Sequence, residues 1–539
     1  MKLDRSVIVE NCGIVAVFLA AIALIKPLGN FPLNDDGMFA LPTFEFARTG
    51  HFHMTAVPTA VRAQILWGAL FVRLFGASFE VLRMATVVSA ILALITINAL
   101  LRLAAIPRAG RVLATLAIAF HPIFLWASCT FMTEVHFICA TAVALYCFAR
   151  GLREERVGFL LAGGAAVAIS WWIRQTGVLT AIAAIAVVLF RRDRQWKRDA
   201  LILAIPIIGF AVVAVAWPET LRGSAAVFGS FLDVWRDPLF HIEDAVAMFY
   251  QHTFLPLQET ALWLLPLVAA GAFAVMRKFD WRIVAIAIVM SVGFIMSIRN
   301  HLPMPYYGRS GCCENVAGDI FTNFGLGPPT TYDVFTGQQT YPFTLTFGTR
   351  IALTLFATFA AILFVTSLAR GARKDVIFLL SIAIAACQIA SLYLTATYFD
   401  RYSLTTAWPL VIAGAIVTPW PRAAQMRAIV VLALIATFGI LGINEYFSWQ
   451  RARWTAYGEL RRAGVKVTNV EGGMEAEFMI ERPYITDQEY THLRKRLKLG
   501  PKHYMIAFNQ REHWHVVAQH PFSGWLGMHR GVIYTLEKD

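Results

Sequence analysis

Charge is scarce in this chain: 15% of its 539 residues are Asp, Glu, Lys or Arg, 58% are hydrophobic, and the mean hydropathy is +0.59. That excludes an ordinary soluble fold, whose surface needs more charge, and predicts a polytopic α-helical membrane protein. Metal-type cysteine spacing is also missing. None of the seven cysteines forms a C-x-x-C pair, and Cys12, Cys139, Cys147 and Cys387 lie in apolar runs as small hydrophobes. Cys312 and Cys313 sit in a polar loop, where a vicinal disulfide or a bridge to Cys129 is open. No internal repeat is found, which counts against the repeat-built transporters. Nor does a small-residue cleavage site follow the first apolar run, Val7 to Leu28, so that run is read as a retained span.

What is present is a series of apolar runs, each able to cross about 30 Å of hydrocarbon, separated by basic clusters. The net charge of +13 would suggest nucleic acid in a soluble protein, but here it is dispersed as cytoplasmic loops. The clusters are Arg102/Arg108/Arg111, Arg150/Arg153/Arg156, Arg191/Arg192/Arg194/Lys197/Arg198, Arg277/Lys278/Arg282, Arg370/Arg373/Lys374 and Arg422/Arg427. If all face the cytoplasm, each stretch between neighbouring clusters crosses an even number of times. Val157 to Phe190 would be about 50 Å long as one helix, so it is a hairpin. Its tip is Trp171-Trp-Ile-Arg-Gln-Thr-Gly177, carrying Arg174. The same parity folds Val112 to Ala149 around Ser128 to Glu134, and Val376 to Val417 around Tyr398-Phe-Asp-Arg-Tyr402.

The count is about 13 spans, near 7–28, 79–104, 111–127, 131–150, 157–173, 174–190, 199–217, 258–277, 281–299, 348–369, 375–397, 402–419 and 427–444. The N-terminus is then cytoplasmic and the C-terminus outside. Outer loops fall at 29–78, 218–257 and 300–347, with an amphipathic stretch, Gln64 to Phe75, lying along the interface. From Glu445 the pattern changes. Alternation in Tyr504-Met-Ile-Ala-Phe508 and His513-Trp-His-Val-Val517, and helical spacing over Asp487 to Leu497, predict a small extracytoplasmic α/β domain at 445–539 beside a membrane domain at 1–444.

The candidate chemistry starts at Phe31-Pro-Leu-Asn-Asp-Asp-Gly-Met38. Asp35 and Asp36 could take a proton from a hydroxyl or amine, or hold a divalent cation; equally, Asp35 could cap a helix starting near Met38 while Asp36 favours its positive end. Arg174 and Arg401 are planar forks suited to phosphate, or else snorkelling side chains. Glu134 at its hairpin tip, with Val-His136 following, could orient an acceptor or join a cation site, or simply cap its helix. His51 and His53 form one H-x-H and His513 and His515 another, each lacking a third ligand for zinc.

In order of features the chain resembles the GT-C superfamily of integral-membrane glycosyltransferases, including protein O-mannosyltransferases and lipid A aminoarabinose transferases. The residues that carry the resemblance are Asn34-Asp-Asp-Gly-Met-Phe-Ala40 with Ala47-Arg-Thr-Gly-His-Phe52, the Met132-Thr-Glu134 tip, Arg174-Gln-Thr-Gly177 and Asp400-Arg-Tyr402. The basic residue with paired prolines that some members carry late in the first loop is absent; Arg62 and Gln64 stand there. The tail stretch Val470-Glu-Gly-Gly-Met-Glu475 resembles a Gly-Gly-Phe-Glu type motif of bacterial relatives.

The resemblance implies transfer of a sugar from a polyprenyl-phosphate donor to an extracytoplasmic glycan, lipid or protein acceptor, with inversion, in a bacterial inner membrane. Asp36 or Asp35 would be the general base, the reading leaning to Asp36. Arg174, Arg401 and Arg62 would hold the donor phosphate, and Glu134, His136, His51 and Asp400 would serve the acceptor. The loop Gly318 to Pro329 would either close over the sugar or pack on the bundle. The competing reading is a transporter or flippase of a lipid-linked or phosphorylated substrate.

Overall fold

A computed structural model describes residues 5–52, 60–217, 241–276, 281–300, 304–305, 319–331, 344–371, 375–395, 398–466, 469–476 and 502–539. The chain is an integral membrane protein, predominantly helical. Among the described residues, six helices are long and apolar enough to cross a bilayer: Arg5–Ile25, Phe79–Leu103, Thr133–Glu154, Trp196–Ala216, Phe347–Arg370 and Arg422–Arg462. Two bent pairs bring the number to eight, Arg108–Ala119 with Pro122–Ser128 at 64° and Tyr250–Trp263 with Leu265–Gly271 at 76°.

This is fewer than the expected count of about 13, for physical reasons. The hairpin arms Val157–Trp171 and Leu179–Arg191 have 15 and 13 residues, and even the longer reaches only about 22 Å at 1.5 Å per residue. The Asp400–Val417 helix opens on Asp400 and Arg401 and carries Pro409, which lowers its hydropathy. The bend in the run near 111–127 falls at His121, where Pro122 starts a new helix.

Local chemistry sets several helix starts. Ser78 accepts the Val81 N–H, Thr346 that of Thr349, and Asp375 those of Ile377 and Phe378. The Trp196–Ala216 helix shows how the bundle meets lipid, with Leu201, Ile205, Ile208, Val212 and Val215 forming one exposed apolar stripe. The amphipathic stretch of the first long loop is a helix, Arg62–Phe75. It buries Ile65, Gly68, Ala69 and Val72 and exposes Leu66, Leu70, Leu74 and Phe75.

The 41-residue helix Arg422–Arg462 runs unbroken through the position where the composition changes. Beyond it, among the described residues, lies a four-stranded sheet in the order β3-β4-β6-β5, of β3 (Val470–Glu471), β4 (Tyr504–Ala507), β5 (Trp514–Gly524) and β6 (His529–Lys538). β3 and β4 are parallel and the other pairs antiparallel. The sheet rests on the long helix: Asn444 Oδ1 accepts the Leu526 N–H at 2.9 Å, and Glu445 meets His529 Nδ1 at 2.8 Å. Asp487 to Leu497, Cys312, Cys313 and His53 lie outside the described residues.

Candidate active site

The first long loop is pinned from inside the bundle. Arg83, buried on the Phe79–Leu103 helix, donates to the carbonyls of Gly29 and Phe31 at 2.6 Å each and of Pro27 at 3.3 Å. One guanidinium thereby satisfies three loop carbonyls that burial would otherwise orphan. The loop ends in a helix, Asp36–Thr49, closed by Gly50 at φ 76°.

The two aspartates of the motif go separate ways. Asp36 is fully buried; its Oδ1 accepts the Leu33 N–H at 2.6 Å, and burial pushes its carboxyl up to about 7 against the opposing pull of Arg83. The helix starts at Asp36, two residues ahead of Met38, with Asp36 in its first turn as the capping alternative expects; Asp35 stands at the N-cap, but its side chain makes no capping hydrogen bond. Instead Asp35 Oδ2 takes Arg401 Nη2 at 2.8 Å, with its side chain 26% exposed.

Around Arg401 the hairpin tips converge. Its Nη1 lies 3.2 Å from Asp319 Oδ2 and its Nε 3.9 Å from Glu134 Oε1, which also meets Arg174 Nη1 at 3.1 Å. Asn34 Nδ2 closes the ring by donating to Asp319 at 3.3 Å. Burial drives the Asp319 carboxyl up, with Arg401 opposing and Asp35 assisting. Arg174 also faces the Tyr402 ring at 5.1 Å, and Arg401 the Phe399 ring at 4.9 Å. Three carboxylates on two guanidiniums leave the cluster formally one negative charge in excess.

Asp400 stands beside the cluster but faces the loop that starts at Asp319. Its carboxylate accepts the N–H groups of Ile320, at 2.9 and 3.0 Å, and Phe321, at 2.6 Å. That anchors the strands β1 (Phe321–Thr322) and β2 (Gly325–Leu326), a hairpin packed on the long helix where Gly327 touches Tyr446 and Leu326 touches Gly442. This part of the 318–329 loop packs on the bundle and delivers Asp319 to the cluster.

Other expected site residues lie apart. Both ring nitrogens of buried His136 meet hydroxyls of the neighbouring helix, Ser89 at 2.9 Å and Thr86 at 3.2 Å. His51 is exposed just past the end of the Asp36–Thr49 helix, and Arg62 lies over the Trp172 and Phe52 rings at 5.2 and 5.9 Å. Among the described residues, no group of three His, Cys, Asp or Glu could hold a metal ion; the cluster's carboxylates converge on a guanidinium. Sequence reasoning missed Asp319 and Arg83. Arg83 carried a usable signal, a lone arginine one turn inside an apolar helix, whereas Asp319 had none.

With the geometry in hand, residues 65–217 match the dolichyl-phosphate-mannose-protein mannosyltransferase family. In that segment the chain is similar to the GT-C glycosyltransferases. The GT-C-like segment holds the hairpins that carry Glu134 and Arg174, while Asp35, Asp319 and Arg401 reach the cluster from outside it. A comparison with curated protein sequences finds no match. Among solved structures, apo ArnT from Cupriavidus metallidurans is 14% identical, with 97% of this chain and 98% of that one aligned at a TM-score of 0.35. ArnT bound to undecaprenyl phosphate gives 15% identity, 77% and 78% coverage and a TM-score of 0.36. The oligosaccharyltransferase AglB from Archaeoglobus fulgidus, in complex with an inhibitory peptide and a dolichol-phosphate, gives 12%, 85% and 59%, and 0.42.

Proposed function

We propose that the chain is a glycosyltransferase that moves a sugar from a polyprenyl-phosphate donor to an extracytoplasmic acceptor. The observation that carries this reading is the Arg401 cluster, which sets a partly exposed carboxylate, Asp35, against Arg401, itself linked through Glu134 to a second guanidinium, Arg174. Asp35 takes the proton of the acceptor hydroxyl or amine as its lone pair forms the bond to the anomeric carbon. On the opposite face the bond from that carbon to the phosphate oxygen breaks, and its electron pair leaves with polyprenyl phosphate. Arg174 and Arg401 offset the developing charge, and the anomeric carbon inverts. Asp35 is preferred to Asp36 as the base because Asp36 is sealed in the loop and bonded to the Leu33 amide.

This reading places the chain in a bacterial inner membrane with its N-terminus cytoplasmic and the sheet outside, the shorter apolar helices crossing as well. The dolichyl-phosphate-mannose donor in the matched family's name supports the donor class. A transporter is disfavoured because the charged residues gather at hairpin tips, not at mid-membrane. The test is the full chain in liposomes given polyprenyl-phosphate mannose and related polyprenyl-phosphate sugars. Release of free polyprenyl phosphate with transfer of the sugar is expected; movement of intact donor between leaflets without release would support the transporter.

A further inference from the structure

The tail stretch Val470-Glu-Gly-Gly-Met-Glu475 reaches the acidic motif. Asn34 lies in the left-handed region at φ 50°, which asparagine tolerates better than most residues with a side chain. Its backbone N–H donates to Glu475 Oε1 at 3.2 Å. Glu475 is held in turn by Arg453 Nη2 at 2.7 Å, the two side chains 0% and 1% exposed, and by the Thr330 hydroxyl at 2.6 Å. Arg453 Nε also donates to the Gly472 carbonyl at 2.8 Å. The two glycines permit the approach: a Cβ on Gly473, at φ 94°, would lie 2.7 Å from Arg453 Nη2, and one on Gly472 would lie 2.8 Å from the Tyr457 ring.

A buried ion pair adds little net stability over apolar packing of the same volume, so geometry is the better account of this one. Three remote segments meet here: the first loop at Asn34, the outer loop at Thr330, and the tail at Glu475. We propose that Glu475 is a positioning residue, fixing the Asn34 backbone so that the next side chain, Asp35, is aimed at Arg401. This rests on the reading of Asp35 as the base, but its structural half stands separately.

The experiment uses the purified full chain with polyprenyl-phosphate mannose and compares Glu475→Asp, which keeps the charge but shortens the arm, with Glu475→Gln, which keeps the arm and its acceptor. Amide hydrogen exchange is read at a peptide covering 31–38, with a peptide from the Phe79–Leu103 helix as fold control. Glu475→Asp is expected to speed exchange at Asn34 about tenfold or more and to lower kcat about 10²-fold with donor KM within about twofold. Glu475→Gln keeps an acceptor for Asn34 but turns an amide NH2 onto the Arg453 donor, so it is expected to lose protection and kcat together, in proportion. Unchanged Asn34 protection in Glu475→Asp, or a loss of kcat in either variant without a matching loss of Asn34 protection, overturns the proposal. Asp35→Asn run alongside separates the two ideas: its full turnover would remove the base reading alone, whatever the exchange at Asn34 shows.

Discussion

Asp35 and Asp36 are neighbours in sequence with opposite surroundings, and burial decides their roles. Asp36 is held in the loop with its carboxyl raised to about 7, so the folded chain binds a proton there that the unfolded chain releases near pH 4. For a raised carboxyl, folded-state stability is greatest at low pH and declines as pH rises from about 4 to about 7. Relative to Asp36→Asn, wild-type protein in detergent should therefore lose thermal stability across that window; parallel curves would contradict the burial argument. The sequence leans to Asp36 and the proposed mechanism takes Asp35, because two adjacent carboxylates cannot be ranked without knowing which one the helix start turns inward. That choice depends on Leu33 and Arg83, whose contacts no local pattern encodes.

At the scale of elements, the site is made by turns. The breaks before Glu134, at Arg174 and before Asp400 were legible, because the positive-inside constraint and the length of a single crossing leave the chain nowhere else to reverse. Their meeting was readable only as a shared side of the membrane, while the ion pairs Arg174–Glu134 and Arg401–Asp35 come from packing. Asp319 was illegible, since its arrival depends on the short β1/β2 hairpin and on three contacts from two loop amides to Asp400. Removing that anchor should free the loop. Asp400→Asn, which leaves one acceptor oxygen where two now accept, is expected to speed proteolysis and exchange across 319–331 and to lower turnover about tenfold, through loss of hydrogen bonds of roughly 1 kcal/mol each. An equally protected loop would count against it. Arg174→Ala should raise donor KM about tenfold or more while acceptor KM stays within about twofold, the split expected of a phosphate contact. Unchanged donor kinetics would leave Arg174 as a partner of Glu134 only.

Over the whole molecule, composition alone made the membrane class plain, since no chain with so little charge can cover a soluble surface. The span number was harder, because short and kinked helices blur the length rule on which counting depends. The proposed orientation has a direct check: cysteines introduced at exposed Leu394, near Tyr398, and at Val517 in the β5 strand should label with an impermeant thiol reagent from outside the cell, while one at Arg108 should not. The central claim is that sugar transfer runs at the Arg401 cluster through Asp35. The measurement that tests it most directly is release of polyprenyl phosphate from polyprenyl-phosphate mannose by Asp35→Asn in liposomes, with Asn34 exchange as the control for an intact loop. A fall in kcat of about 10² or more with the loop still protected is the predicted result, and undiminished release would contradict it.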